Sequence, residues 1–271
     1  MWTNRRALAD LDLPGRERVL DVGCGTGEFA AVLRAETGAA VVGVDADADL
    51  LGVARHGPDA VDATGSGEAA PTVGREAGPF PVVGGDALAL PVRDDAVDLA
   101  ACQALLINLS DPAAAVGELA RVSSDLVATV EPDNAAVSVE STIDREAALE
   151  RRARAAYLDG VGTDVTLGAV GDLFRETEVE VEVVSTRRHD HVRVVEPPYD
   201  ERDLWAARRK ATGAGLAGDR ATLLAGGLAA EEYDDLRGEW RAMGRAVVEA
   251  IRRGDYRRRE TVPFHVTVGR V

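Results

Sequence analysis

Residues 19–27, Val-Leu-Asp-Val-Gly-Cys-Gly-Thr-Gly, concentrate the chemistry of this 271-residue chain. Gly23, Gly25 and Gly27 alternate after an apolar run and before a segment with helical spacing. Glycine belongs where a backbone turns tightly or lets a ligand approach, because a Cβ would obstruct it. A glycine turn between a strand and a helix brings backbone N–H groups and a helix start beside a nucleotide-like cofactor. Asp45 follows Gly27 by 18 residues, at the end of the next apolar run. A carboxylate there can accept both hydroxyls of a ribose; capping the next helix is the plainer use of the same residue. A dinucleotide fingerprint needs Gly-x-Gly-x-x-Gly/Ala, with a small residue where helix meets strand. That position is Glu28, so the spacing speaks against a nicotinamide dinucleotide.

Asp21 leading into Gly-x-Gly-x-Gly resembles motif I of the class I S-adenosylmethionine (SAM) methyltransferases. The segment 85–91, Gly-Asp-Ala-Leu-Ala-Leu-Pro, resembles the third motif of that family. The resemblance covers residues 15–135 and the C-terminal end, and is nearest in look to small-molecule enzymes of the ubiquinone/menaquinone-biosynthesis type. It implies SAM as cofactor and S-adenosylhomocysteine as product. It also implies cofactor contacts from Asp21, Gly23, Cys24, Gly25, Gly27, Asp45, Ala46, Asp86, Ala87 and Gln103. Of these, Asp45 would hold the ribose and Asp86 the adenine amino group, with the next amide at the ring. Gln103 would meet the methionine end. SAM has no pyrophosphate, so a diphosphate-cradling helix start is not required. Its sulfonium makes the methyl electrophilic, so the protein has mainly to align a nucleophile in line with it. No residue is assigned a catalytic role on this reading.

These residues need a scaffold, and the apolar runs supply one. Residues 19–22, 40–45, 81–87, 96–102 and 125–130 read as strands, and 28–36, 48–55 and 112–122 as helices, with Asp111-Pro112 a helix start. Continuous apolar runs suit a parallel sheet covered on both faces. The expected fold is α/β: a Rossmann-like, doubly wound sheet of about seven strands, the last antiparallel, with a helical cap inserted before that last strand. Residues 1–18 read as a short opening helix and a Pro14-Gly15 turn, and 57–79 as a surface loop. Helices are expected over 144–157 and 167–175, and strands over 178–184 and, after a bend, 190–195. The run 200–258 is helical, with 231–253 its longest helix, and 262–269 closes the chain as a strand. The expected domains are therefore a SAM-binding core, 1–196 and 259–271, and a cap, 197–258. Glu131 and Asn134, read in the loop after the strand 125–130, are substrate-side candidates, because ligands of such sheets collect beyond the strand C-termini.

Other constellations have simpler uses. Glu196-Pro197-Pro198-Tyr199 resembles the Asp/Asn-Pro-Pro-Tyr motif of amino-methylating nucleic-acid enzymes. It begins with Glu and falls after the wrong strand, so a rigid turn is the better reading. His189 and His191 could share a strand face, but no third ligand lies near in sequence. His265 reads as a sheet residue. Tyr157 and Tyr199 are open candidates for substrate contact. Arg252, Arg253, Arg257, Arg258 and Arg259, and the run Arg208-Arg209-Lys210, could bind phosphate. Glu249, Asp255 and Glu260 interleave with the first cluster, which favours ion-paired faces.

Composition narrows the partners. The formal net charge is −16, and Lys210 is the single lysine among 31 basic residues. Acid excess with arginine in place of lysine resembles proteins adapted to molar salt; a GC-rich genome has a similar effect on composition. Residues 1–140 hold 23 acids and 9 bases, a net −14, so that part makes a poor nucleic-acid surface. The expectation is a small-molecule methyl acceptor rather than nucleic acid. An RNA or protein methyltransferase using the arginines is the alternative, or a SAM-binding protein without turnover. No apolar run is long enough to span a membrane. The two cysteines suit a reducing cytoplasm, and no export signal is expected. The oligomeric state stays open, with a homodimer among the options.

Overall fold

The computed structural model describes residues 5–56, 80–167, 170–177 and 179–271. The predicted loop 57–79 lies outside the described residues, as does the first residue of the strand predicted from 178. In chain order the first elements are β1 (Arg18–Val22), α1 (Glu28–Glu36), β2 (Ala40–Asp45), α2 (Ala48–His56), β3 (Val82–Gly84), β4 (Val97–Gln103), α3 (Pro112–Val122) and β5 (Ser123–Pro132). Then come β6 (Ser138–Ser141), α4 (Glu146–Gly160), α5 (Gly171–Arg175), β7 (Glu182–Val195), α6 (Glu201–Thr212), α7 (Ala214–Gly218), α8 (Arg220–Ala225), α9 (Ala230–Arg253) and β8 (Arg258–Arg270).

The chain forms two compact units: Met1–Pro132, Leu167–His189 and Phe264–Val271 in the first, Asp133–Thr166 and Asp190–Pro263 in the second. The first unit is built on parallel strands in the order β3-β2-β1-β4-β5. The last residues of β8 run antiparallel to β5, from Phe264 opposite Pro132 to Arg270 opposite Leu126. This is the Rossmann-like α/β arrangement expected, last strand antiparallel included. The strand order reverses between β1 and β4, the place where such sheets open a crevice at their C-terminal ends. β1 and β4 are central, and Val19, Leu20, Val22, Leu99, Ala100, Ala101 and Cys102 are buried accordingly. Helix α3 starts at Asp111, whose carboxylate accepts the Ala114 amide at 3.0 Å, and Pro112 occupies its first turn. Its Val116, Leu119 and Ala120 seal one face of the sheet, together with Phe174 of α5.

The second unit is helical apart from β6, which pairs through Ser138–Ser141 with Arg258–Thr261 of β8, and the end of β7. The helical run predicted as an insertion falls within it, and so does α4. Helices α6 and α9 approach closely at Gly244: a Cβ there would stand 2.2 Å from the Ala211 nitrogen. Leu223, Leu236, Val247 and Tyr233 form its apolar centre.

Several boundaries differ from the sequence reading. Residues 182–195 make one strand rather than two with a bend, since neither glycine nor proline interrupts them. β6 was not expected, being four polar-rich residues. β8 begins at Arg258, so part of the C-terminal arginine cluster lies on a strand. The opening helix is two short 3₁₀ turns, Arg5–Leu11 and Leu13–Gly15. β5 runs through Glu131 and Pro132, which were read as loop, because the antiparallel partner carries the ladder to Phe264.

Candidate functional site

The three glycines of the turn all adopt left-handed backbone, with φ of 71° at Gly23, 52° at Gly25 and 90° at Gly27. Their surroundings divide them into two kinds. A Cβ on Gly23 would stand 2.7 Å from Leu105 Cδ1, and one on Gly27 would stand 2.2 Å from the Phe80 ring. A Cβ on Gly25 would meet nothing within 4 Å. Gly23 and Gly27 are thus demanded by packing, while Gly25 presents bare backbone on an open side.

The amides of the turn are largely engaged within the protein. Gly23 and Cys24 donate to the Val44 carbonyl at 2.8 and 3.0 Å, and Gly27 donates to Cys24 at 2.8 Å. Gly25 donates to Asp45 Oδ2 at 2.8 Å, and Asp47 to Asp45 Oδ1 at 2.9 Å. This corrects the expectation that the turn offers its N–H groups to a ligand. It is not an anion nest of the kind that cradles a diphosphate. Glu28 in the first turn of α1 adds negative charge where a diphosphate would sit. Asp45 instead joins β2 to the glycine turn, with acceptor capacity left on both carboxylate oxygens.

Asp86 and Ala87 lie just beyond β3. Asp86 Oδ1 accepts the Leu88 amide at 2.9 Å and its carbonyl accepts that of Ala89 at 3.1 Å, a self-closed turn that leaves the side chain exposed. Gly85 donates to the Asp45 carbonyl at 3.0 Å, which ties this turn to the end of β2. Ala46 is exposed directly after Asp45, and Gln103 ends β4. The C-terminal ends of β1, β2, β3 and β4 therefore gather the glycine turn, Asp45, Ala46, Asp86, Ala87 and Gln103.

Asp21 and Cys24 stand apart, because both are buried. Neither carboxylate oxygen of Asp21 has a hydrogen-bond partner. Burial raises its pKa to about 8; the nearby Ala30 amide opposes the rise without reaching hydrogen-bond geometry, and the Asp45 charge adds to it. Burial, and then the charges of Asp21 and Asp45, push the Cys24 thiol up to about 12.

Glu131 was read as a loop residue facing substrate. It is wholly buried in β5 opposite His265, and its Oε1 accepts the Leu105 and Leu106 amides, each at 3.1 Å. Burial raises its pKa to about 7. Asn134 donates to the Val165 carbonyl at 2.8 Å within the second unit. Phe80 and Leu105, which line the glycine turn, were not singled out in the sequence, and isolated apolar residues in loops give no periodic signal.

The second unit holds a buried ionic cluster. Lys210 pairs with Glu146 and, at 2.7 Å, with Glu150. Arg258 reaches Glu150 at 2.8 Å and Glu260 at 3.0 Å, and the Tyr256 hydroxyl donates to Glu146 at 2.8 Å. Burial alone would raise Glu150, but Lys210 and Arg258 outweigh it and hold the carboxyl below its usual range. Arg252 pairs with Glu249 at 2.6 Å and Arg253 with Asp255 at 2.9 Å, so these two arginines, like Arg258, are ion-paired as expected. Arg209 lies 4.8 Å over the Trp205 ring. The Tyr199 hydroxyl donates to the Tyr256 carbonyl at 3.0 Å, and Glu196–Asp200 forms the turn from β7 into α6, where Asp200 caps the helix. A cavity of about 300 Å³ in this unit is lined by Tyr157, Leu216, Leu223 and Trp240, with Arg154 and Asp219. Among the described residues no cluster of His, Cys, Asp and Glu could hold a metal ion, and no helix is long and apolar enough to cross a membrane.

Residues 20–125 match the methyltransferase domain family. No curated protein matches the chain. Solved structures do. A candidate methyltransferase of Bacillus halodurans is 14% identical, with a TM-score of 0.51 over 98% of this chain and 96% of its own. A candidate sarcosine dimethylglycine methyltransferase of Galdieria sulphuraria is 15% identical, with a TM-score of 0.49 over 98% of this chain and 84% of its own. The first of these shares the fold. The chain carries a class I SAM-dependent methyltransferase domain. It is a SAM-dependent methyltransferase, and SAM is its cofactor.

Proposed function

We propose that the turn 23–27, Asp45 and Asp86 hold SAM, and that the methyl acceptor is a small molecule methylated by direct in-line displacement. The observation that carries the reading is Gly25, whose missing Cβ leaves open space beside the Asp45 carboxylate. Backbone at that point can be approached closely, as a flat nucleoside requires. Asp45 would accept the ribose hydroxyls while its link to the Gly25 amide keeps it in place. Asp86, exposed at its turn, would accept the adenine amino group beside the Ala87 amide. Ala46 and Gln103 complete the proposed contacts, Gln103 toward the methionine end. Asp21 and Cys24 would act from beneath, through the shape and charge of the turn.

Bound SAM supplies a methyl already activated by its sulfonium. The protein then has to orient the acceptor and exclude water, and positioning alone is worth on the order of 7–11 kcal/mol. We assign acceptor selection to the second unit, with residues 197–258 as the specificity-bearing insertion. Its cavity of about 300 Å³, with aromatic walls, is of a size for small molecules. The net −14 of residues 1–140 and the ion-paired arginines favour such an acceptor over nucleic acid. The same charge supports a cytoplasm of high salt as the working environment, where a chain equally stable in dilute buffer would refute the assignment. A homodimer is compatible with this reading.

Calorimetric titration in molar KCl tests the donor site. SAM and S-adenosylhomocysteine are expected to bind and NAD is not. Asp45→Ala should weaken both by about ten-fold or more, the loss of charged hydrogen bonds; unchanged affinity removes the ribose assignment. Labelled methyl transfer into fractionated extract then identifies the acceptor: label in RNA or protein would overturn the small-molecule proposal.

A further inference from the structure

Glu131 is a fully buried carboxylate that grips the loop leaving β4. Its Oε1 takes the amides of Leu105 and Leu106, and its Oε2 has no partner. Just before them, Ala104 sits in left-handed backbone at φ 50°, unusual for a residue with a side chain. The Ala104 amide donates to the Val130 carbonyl at 2.9 Å, and Asn108 Nδ2 donates to the Ala104 carbonyl at 2.8 Å. A strained residue of this kind persists only where its surroundings over-determine it. Here the determinants are β5, through Val130 and Glu131, and the 3₁₀ turn Leu106–Asn108.

What the grip holds is Leu105. Its side chain fills the space that a Cβ on Gly23 would need, at 2.7 Å from Leu105 Cδ1. The chain of contacts therefore runs from the Glu131 carboxyl to the Leu105 backbone, and from the Leu105 side chain to the first glycine of the turn. We propose that Glu131 is a positioning residue for the methyl-donor site, setting through Leu105 where the loop after β4 closes on the glycine turn. This rests on the reading of that turn as the SAM site. An ordinary cap on a three-residue helical turn would be met by a neutral Ser or Asn at the surface. A fully buried glutamate on a neighbouring strand is a more demanding solution, and it fixes the loop to the sheet rather than to itself.

The test compares Glu131→Ala, Glu131→Gln and, as a control on the same strand, Val127→Ala. Amide exchange at Leu105 and Leu106 is followed without cofactor, and S-adenosylhomocysteine affinity is measured by calorimetry. Glu131→Ala should speed exchange at those two amides, and weaken affinity, by about ten-fold or more, the effect of unmaking buried hydrogen bonds. Glu131→Gln keeps a carbonyl acceptor and should restore both to near wild type. Val127→Ala should lower thermal stability without either change. Wild-type exchange and affinity in Glu131→Ala would overturn the proposal, and so would an equal loss of affinity in Val127→Ala. A wild type that binds no S-adenosylhomocysteine overturns the donor-site reading, and this proposal with it; the two failures are told apart by the wild-type titration.

Discussion

Asp21 and Glu131 in the first unit and Glu146 and Glu150 in the second are all buried carboxyls. Their surroundings differ. Both oxygens of Asp21 and one of Glu131 lack partners, and both groups have raised pKa values. Glu146 and Glu150 are enclosed by Lys210, Arg258 and the Tyr256 hydroxyl, and Glu150 is held below its usual range. In the second unit the buried carboxyls are closed by opposite charge, although Arg258 Nε itself lacks a hydrogen-bond partner. In the first, these carboxyls sit beside the glycine turn proposed to hold the cofactor, and their compensation is incomplete.

The largest expected effect breaks the compensated side. Lys210→Met leaves Glu150 with Arg258 and Glu146 with the Tyr256 hydroxyl and the more distant Arg258, and should destabilise the fold by about 3 kcal/mol, the low end for removal of one partner of a buried ion pair. Urea unfolding at fixed salt measures this, and adding Glu146→Gln with Glu150→Gln should return part of the loss. A loss near zero would mean that water already screens the cluster.

An intermediate effect separates packing from binding in the glycine turn. Gly27→Ala combines a disfavoured backbone with a clash against Phe80 and should lose about 2–4 kcal/mol. Gly25→Ala bears the backbone penalty alone, about 1–2 kcal/mol, because its Cβ enters open space. SAM affinity should fall at least as far in Gly25→Ala as in Gly27→Ala. Thermal unfolding and calorimetry on the two variants check this, and intact binding in Gly25→Ala would mean that the cofactor does not use that side.

The gentlest probe is pH. Asp21 moves from 3.8 to about 8 on folding and Glu131 from 4.5 to about 7, so the folded state holds more protons in between. Stability from these groups is full below about pH 4 and is lost as pH rises through 7 to 8, by at most about 1.4 kcal/mol per pH unit for each. Denaturation between pH 5.5 and 8.5 should therefore show wild type gaining stability toward acid. Asp21→Asn and Glu131→Gln should flatten the slope and be the more stable proteins at the alkaline end. An unchanged slope in both variants would assign the pH response to other groups.

The β1 turn was legible because its information is local: three glycines, an acid and two apolar runs state both geometry and cofactor class. The places of Asp45 at the end of β2 and of Asp86 just beyond β3 were legible for the same reason. Glu131 was not. Pro132 reads as a strand stop, and only the distant partner β8, opposite Phe264, keeps those residues in the ladder. The ionic cluster was half visible. Lys210 stood out as the single lysine, and Glu146 and Glu150 lie one helical turn apart. Nothing local says that they meet, and Lys210 was grouped with its arginine neighbours instead. β6 fell below any pattern, since four residues cannot establish a period.

The state of the cysteines has a practical side. Cys24 lies inside the glycine turn, with a thiol pushed up to about 12, and burial raises Cys102 as well, with the Glu131 charge adding. The thiolate is the form that alkylating agents and peroxide attack. A protein whose only two sulfhydryls are sealed and protonated has no handle for such reagents while it is folded. Maleimide uptake should therefore report opening of the glycine turn at Cys24 or of β4 at Cys102, the two told apart by which cysteine carries the label.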